Sequence, residues 1–154
     1  MNVFISYGSA ADQVTALRLQ ALGAANGITL YAPPARTRRS VSLLLDPEVG
    51  QKLKEADVVL GVVGTGFSEA CRQELNTSRT IPKPTIVMAD QVFAQQLRPF
   101  FGPNLVEIDP ANPDKTEAMI VQRLKAIDAG QQAKKALIAL RTLALGLLIL
   151  APQE

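Results

Sequence analysis

Glu74 is the side chain of this sequence best placed to do chemistry. It lies six residues after Ser68, inside the helix that is predicted to follow the most apolar strand, residues 58–63. The chain has no histidine, and serine–histidine triads, histidine general bases and the common zinc hydrolase sites all need an imidazole group. Catalysis would therefore depend on carboxylates, hydroxyl groups or backbone dipoles. A helix carboxylate beside strand ends suggests a nucleotide-binding cleft.

The composition is that of one ordered globular domain. The chain has 154 residues, of which 47% are hydrophobic and 19% charged, enough to bury a single core. Its net charge of +2 is too small to predict nucleic-acid binding, which usually needs a concentrated basic face. A single cysteine, Cys71, excludes an intramolecular disulfide and a multi-cysteine zinc site, and we expect no bound metal. The first residues lack the pattern of a signal peptide, so the expected location is the cytoplasm.

The elements that must position Glu74 are predicted to alternate between strands and helices. Five short runs rich in β-branched residues recur at 3–7, 28–32, 58–63, 85–88 and 105–108. Apolar runs without polar alternation are typical of parallel strands covered on both faces, and the third and most apolar run should be central. Right-handed crossovers then give a flavodoxin-like, doubly wound α/β sheet of five parallel strands in the order 2-1-3-4-5. Ligands bind such sheets at the carboxyl ends of the strands, here beside the loops 6–11 and 64–68.

Helix start signals precede the predicted helices. Asp12 is expected to cap the first helix, and Asn26-Gly27 to end it. The face of this helix predicted to be buried carries Val14, Leu17, Ala21 and Leu22. Three further starts are predicted at Asp46-Pro47, Asp90 and Asn112-Pro113. The buried stripe of the second helix is predicted to be Val49, Leu53 and Ala56. The last start signal precedes Ile120, Val121, Leu124 and Ile127.

Residues 130–154 depart from this alternation and form a predicted apolar C-terminal helix after a domain at 1–129. A membrane span needs about 20 apolar residues, whereas the apolar run at 137–150 is shorter and is interrupted by the charge of Arg141. Three interpretations remain open. The helix packs or self-associates, it associates with a membrane through residues 136–151, or it does neither.

An Ile-Ser-Tyr strand at residues 5–7, combined with a Cys-x-x-Glu-Leu helix at residues 71–75, resembles the Toll/interleukin-1 receptor (TIR) domain family, in particular its stand-alone prokaryotic members that cleave NAD. The resemblance covers about residues 1–129. It implies NAD glycohydrolase or ADP-ribosyl cyclase activity, with Glu74 as the catalytic residue, NAD as the substrate and no resident cofactor. It also implies a prokaryotic immune (antiphage) or stress-signalling role and homo-oligomers that form through TIR–TIR contacts.

Two loops and one aromatic ring are expected to contact NAD. The loop after the first strand resembles the loop that borders the nucleotide pocket in the family. The loop after the second strand corresponds to the BB loop, which packs against neighbouring subunits and can cover the site. The predicted substrate-binding residues are Ser6, Tyr7, Gly8, Ser9, Arg36, Arg38 and Phe67. Each has a structural alternative, because Ser9 could cap the first helix, the arginines could be solvated and Phe67 could lie at the edge of the core.

Two other functions stay open. A non-enzymatic TIR adaptor would use its BB loop to dock another TIR domain, and Ala70, which stands where many family members have tryptophan, favours this alternative. Glu74 would then be an ordinary helix residue. A nucleoside deoxyribosyltransferase-like enzyme would use a similar sheet and a glutamate nucleophile on nucleosides, although the arginine-rich second loop favours NAD.

Overall fold

The computed structural model describes residues 1–34 and 47–150, and five parallel strands form one sheet in it. The sheet order is β2-β1-β3-β4-β5. The strands are β1 (Asn2–Tyr7), β2 (Thr29–Tyr31), β3 (Val58–Val63), β4 (Thr85–Ala89) and β5 (Leu105–Glu107). Each boundary falls within one residue of its predicted position, and the all-parallel, flavodoxin-like architecture is confirmed. β3 is central, and all six of its residues are buried.

Within residues 1–34 and 47–150, five α-helices connect and cover the strands. They are α1 (Asp12–Ala25), α2 (Pro47–Glu55), α3 (Glu69–Thr80), α4 (Gln91–Phe101) and α5 (Pro113–Leu150). The predicted cap of α4 is confirmed, because Asp90 Oδ1 accepts a hydrogen bond from the Val92 amide at 3.1 Å. Asn112 Oδ1 likewise accepts from the Lys115 amide at 3.3 Å at the start of α5. Asp46, the predicted cap of α2, lies outside the described residues.

The two faces of the sheet carry two separate cores, because neighbouring side chains of a strand point to opposite sides. Val3, Ile5 and Tyr7 belong to the core that includes buried residues of α1 and α5. Phe4 belongs to the other core, which includes buried residues of α2, α3 and α4. Ser6 follows Phe4 by two positions and therefore faces α3. The predicted buried stripe of α2 is confirmed, and on α5 Ile120, Val121 and Leu124 are buried while Ile127 is partly buried.

The predicted buried face of α1 is wrong. Val14, Leu17, Ala21 and Leu22 are all exposed, and the helix instead buries Asp12, Ala16, Leu19 and Gly23. Close packing explains the choice, because a Cβ atom at Gly23 would come within 2.1 Å of Leu30 Cδ1 on β2. α1 therefore approaches the sheet through a stripe in which the small residues Ala16 and Gly23 flank Leu19, and Val14, Leu17 and Leu22 stay exposed.

α5 is one continuous helix, so residues 130–150 extend the last helix of the domain rather than form a separate one. Arg18 on α1 fixes the first turns of α5, because the Nε and Nη2 atoms of Arg18 donate to Glu117 Oε1 at 3.1 and 2.5 Å. The hydrogen bond and the charge of buried Glu117 raise the pKa of the Arg18 guanidinium. Among the described residues, no helix is both long enough and apolar enough to cross a bilayer.

Candidate active site

Glu74 lies where the order of the strands reverses. Ser68 begins α3 by accepting a hydrogen bond from the Cys71 amide at 3.3 Å, and Glu74 then points from α3 toward the sheet with 2% of its surface exposed. Ser6 Oγ donates to Glu74 Oε1 at 3.1 Å. Because Ser6 pairs with Gly61 of β3 near the carboxyl ends of both strands, the carboxylate sits beside the switch point between β1 and β3.

Cys71 completes this buried polar cluster without the features of a nucleophile. It is fully buried, and its Sγ atom lies 3.2 Å from Ser6 Oγ. A cysteine becomes reactive through a low pKa or a neighbouring base, and the sequence offers no histidine for that purpose. Its complete burial is that of a small core residue. The hydroxyl of Ser6 has one proton, for which a carboxylate is the stronger acceptor.

Asp12 does not cap α1 as predicted but ties that helix to the loop after β3. Its carboxylate accepts from the Thr65 amide, at 3.0 Å to Oδ1 and 3.2 Å to Oδ2, and from Thr65 Oγ1 at 3.2 Å. Ser9 takes part in the same cluster, because its Oγ atom accepts from the Asp12 amide at 3.2 Å and lies 2.5 Å from Thr65 Oγ1. The loops after β1 and β3 are therefore joined by side chains as well as by backbone.

Replacing Asp12 by alanine is expected to lower the free energy of unfolding by about 1–3 kcal/mol, because the Thr65 amide loses its acceptor in a region where Asp12 is only 3% exposed. Urea unfolding followed by far-UV circular dichroism measures the loss. Asp12→Asn keeps one acceptor oxygen and should be destabilised by less than the alanine variant. Equal stability of wild type and Asp12→Ala would show that this contact contributes nothing.

Gly8 brings the backbones of the same two loops into direct contact. Its amide donates to Val62 O at 2.9 Å, and its carbonyl accepts from the Ser68 amide at 3.0 Å. Gly8 and Ser9, which were predicted to face the substrate, are thus also engaged with the loop after β3. A ligand would have to approach the surface that these joined loops leave free.

The remaining predicted contacts are distributed over different parts of the molecule. Tyr7 is buried, and its hydroxyl donates to Pro33 O at 2.5 Å, which fixes the chain where it enters the arginine-rich loop. Arg36 and Arg38 themselves lie outside the described residues. The structure therefore joins Ser6 to Glu74 directly, whereas the ring of Tyr7 packs in the core on the opposite face of the sheet.

Phe67 lines a groove between α3 and α4 rather than the cluster around Ser6. Its ring lies 6.5 Å from that of Phe93, edge to face, and the Arg72 guanidinium lies 4.3 Å from its centroid. Arg79 stacks on Phe100 in the same groove at 4.8 Å. The alternative that Phe67 belongs to the edge of the core agrees with its packing. The two arginine–aromatic pairs were not foreseen, because the sequence does not show which rings α4 presents to α3.

Comparisons with known proteins bear on the fold alone. No protein-family model and no curated protein matches the chain. Two single-site mutants of flavodoxin from Pseudomonas aeruginosa each align with a TM-score of 0.50 and 19% identity, over 82% of this chain and 97% of that chain. The TIR domains of the activated Roq1 resistosome directly recognizing the pathogen effector XopQ align with a TM-score of 0.49 and 14% identity, over 86% of this chain and 75% of that chain. The flavodoxin likeness agrees with the observed strand order.

Proposed function

We propose that this protein is a TIR-type NAD glycohydrolase or ADP-ribosyl cyclase with Glu74 as its catalytic residue. The observation that carries the proposal is the buried Glu74 carboxylate, held by Ser6 Oγ at 3.1 Å beside the switch point of the sheet. Ligands of open α/β sheets bind at such a point. The motif resemblance is the reason for proposing NAD as the substrate. The geometry contributes a carboxylate on α3 that is fixed by a hydrogen bond from β1.

Cleavage of the nicotinamide–ribose bond of NAD needs few catalytic groups besides that carboxylate. The bond between the nicotinamide nitrogen and C1′ of the ribose breaks, and both of its electrons leave with nicotinamide, which departs as a neutral base. Positive charge develops at C1′, and a nearby carboxylate stabilises it. Water then attacks C1′ and loses a proton to give ADP-ribose, or an atom of the same molecule attacks to give a cyclic isomer. No histidine is required at any step.

The other chain groups would bind and orient NAD. Ser6 holds the Glu74 carboxylate in place through its hydroxyl group. The joined loops at Gly8 and Ser9 form the rim of the site, and Arg36 and Arg38 are proposed to meet the pyrophosphate through bidentate contacts. TIR–TIR contacts between copies and a role in prokaryotic immune or stress signalling belong to the same proposal.

A non-enzymatic adaptor is the second candidate, and one observation favours it. Glu74 is almost wholly buried, and Ser6, which also contacts Cys71, donates to its carboxylate, so the carboxylate could serve only to fix α3 on the sheet. A substrate reaches Glu74 only if the site opens toward solvent. The two candidates therefore make opposite predictions about turnover.

Incubation of concentrated protein with NAD, followed by chromatography for nicotinamide, tests the proposal. We expect nicotinamide to appear together with ADP-ribose or a cyclic isomer, and to appear faster when the protein is clustered on a support. A parallel incubation with a deoxynucleoside tests for base release by a deoxyribosyltransferase-like enzyme. No nicotinamide from clustered, folded protein would favour the adaptor, and base release from the deoxynucleoside alone would favour the transferase.

A further inference from the structure

The C-terminal half of α5 projects from the domain. Ile127 is its last residue that packs against the core, and Asp128 lies 3.9 Å from the amino group of Met1. All the described side chains at 132–144 are exposed. From residue 132 to residue 150 the helix extends about 28 Å at 1.5 Å per residue. We name residues 132–150 the projecting helix.

The projecting helix exposes four large apolar side chains close together along the chain. Leu137, Ile138, Leu140 and Leu143 are between 49% and 64% exposed and lie within two turns of one another. Single exposed apolar residues are ordinary, whereas a contiguous patch marks an interaction surface. A partner that covers this patch would bury apolar surface that the domain itself leaves exposed.

The charge of this segment identifies the kind of partner. Residues 129–150 contain Lys134, Lys135 and Arg141 but no aspartate or glutamate. Lys134 and Arg141 are seven positions apart, which places them on one face of the helix. Apolar residues combined with cations and no carboxylates are typical of helices that lie in the interface of an anionic membrane.

We propose that the projecting helix binds an anionic lipid surface, with Leu137, Leu140 and Leu143 in the headgroup boundary and its lysines among the acidic headgroups. The apolar run at 137–150 extends about 21 Å, against about 30 Å for the hydrocarbon core, so the helix lies in the interface. This inference is independent of the NAD-cleaving activity, because it rests on residues outside the Glu74 site.

A second copy of the chain fits the same patch less well. Parallel pairing of two projecting helices would bring the three cations of each copy together, and residues 129–150 offer no carboxylate to compensate them. Like charges at an interface oppose association. An anionic lipid surface instead attracts all three cations and covers the leucines at the same time.

Sedimentation of the full chain with vesicles tests this proposal. We expect binding to vesicles of phosphatidylcholine mixed with phosphatidylserine, and about 100-fold weaker partitioning into phosphatidylcholine alone, as three cations near the surface predict. High salt should weaken the binding, because the attraction is screened. Leu140→Asp should reduce partitioning by about 10-fold or more, because it removes apolar contact and adds a negative charge.

Two matched double variants show whether binding to phosphatidylserine depends on the charge of the projecting helix or on the net charge of the protein. Lys134→Glu/Lys135→Glu should abolish the dependence on phosphatidylserine. Lys54→Glu/Lys115→Glu makes the same change in net charge on α2 and at the start of α5, where both lysines are exposed, and should keep that dependence. Circular dichroism confirms that each variant is folded.

Two outcomes would overturn the proposal. If folded wild-type protein binds vesicles with phosphatidylserine no more strongly than vesicles without it, an anionic lipid surface is excluded as the partner. Light scattering that finds a stable dimer without lipid, disrupted by Leu140→Asp, together with no vesicle binding, would assign the projecting helix to a second copy.

Discussion

Glu74→Gln is expected to lower the rate of nicotinamide release by about 10³-fold, because it removes the negative charge that stabilises the positively charged ribose in the transition state. The glutamine amide has nearly the same shape, and its oxygen can still accept the hydrogen bond that Ser6 Oγ donates at 3.1 Å. The fold should therefore persist while turnover is lost. Chromatography of nicotinamide under single-turnover conditions measures the change.

Glu69→Gln is the matched control for this experiment. Glu69 lies on the same helix as Glu74 and loses the same charge, but it is exposed in the first turn of α3. The rate of nicotinamide release by Glu69→Gln should stay within about twofold of the wild-type rate, because solvent screens a surface charge that is far from the reacting atoms. Equal release by Glu74→Gln and wild type would assign Glu74 a purely structural role, even if the protein cleaves NAD.

Strand positions and sheet order were predictable because they depend on local composition. Buried parallel strands need apolar, β-branched runs, and five such runs recur with helical patterns between them. The short loops and right-handed crossovers then leave few ways to order the strands. The position of Glu74 followed in the same way, since a residue on the helix after the central strand must lie near the reversal of the sheet.

The buried face of α1 was not predictable by the same reasoning. Two stripes run along this helix, one with large apolar residues and one with Ala16, Leu19 and Gly23. Periodicity favours the stripe with more large apolar residues, but the sheet selected the stripe that carries Ala16 and Gly23 beside Leu19, because it lets α1 pack closely against Leu30. Interatomic distance decides between the stripes, and a single sequence carries no distances.

Hydrogen-bonded pairs whose members are far apart in the sequence could not be predicted either. Arg18 and Glu117 are 99 positions apart and Asp12 and Thr65 are 53 apart, so nothing in either local pattern announces the contact. Asp12 directly before a helix is the usual sign of a cap. Its use as an acceptor for Thr65 depends on the close approach of the loops after β1 and β3, which only tertiary structure brings about.

Gly8→Ala is expected to lower the free energy of unfolding by about 3 kcal/mol or more, because no space exists for the added methyl group. A Cβ atom at Gly8 would lie 1.8 Å from Gly66 O and 2.8 Å from Gly66 C. Both atoms belong to backbone and cannot rotate away, so the loops after β1 and β3 must separate. Urea unfolding measures the loss.

Gly50→Ala provides the opposite result from the same substitution. Gly50 lies within α2, and a Cβ atom there would meet nothing within 4 Å, so alanine should stabilise the protein by about 0.5–1 kcal/mol through its better helix propensity.

The loops that Gly8 joins also form the rim of the proposed site. Gly8→Ala should therefore reduce nicotinamide release even at temperatures where the variant remains folded, whereas Gly50→Ala should leave it unchanged. Unchanged stability of Gly8→Ala would contradict the contact between these loops and, with it, the rim on which the proposed NAD site depends.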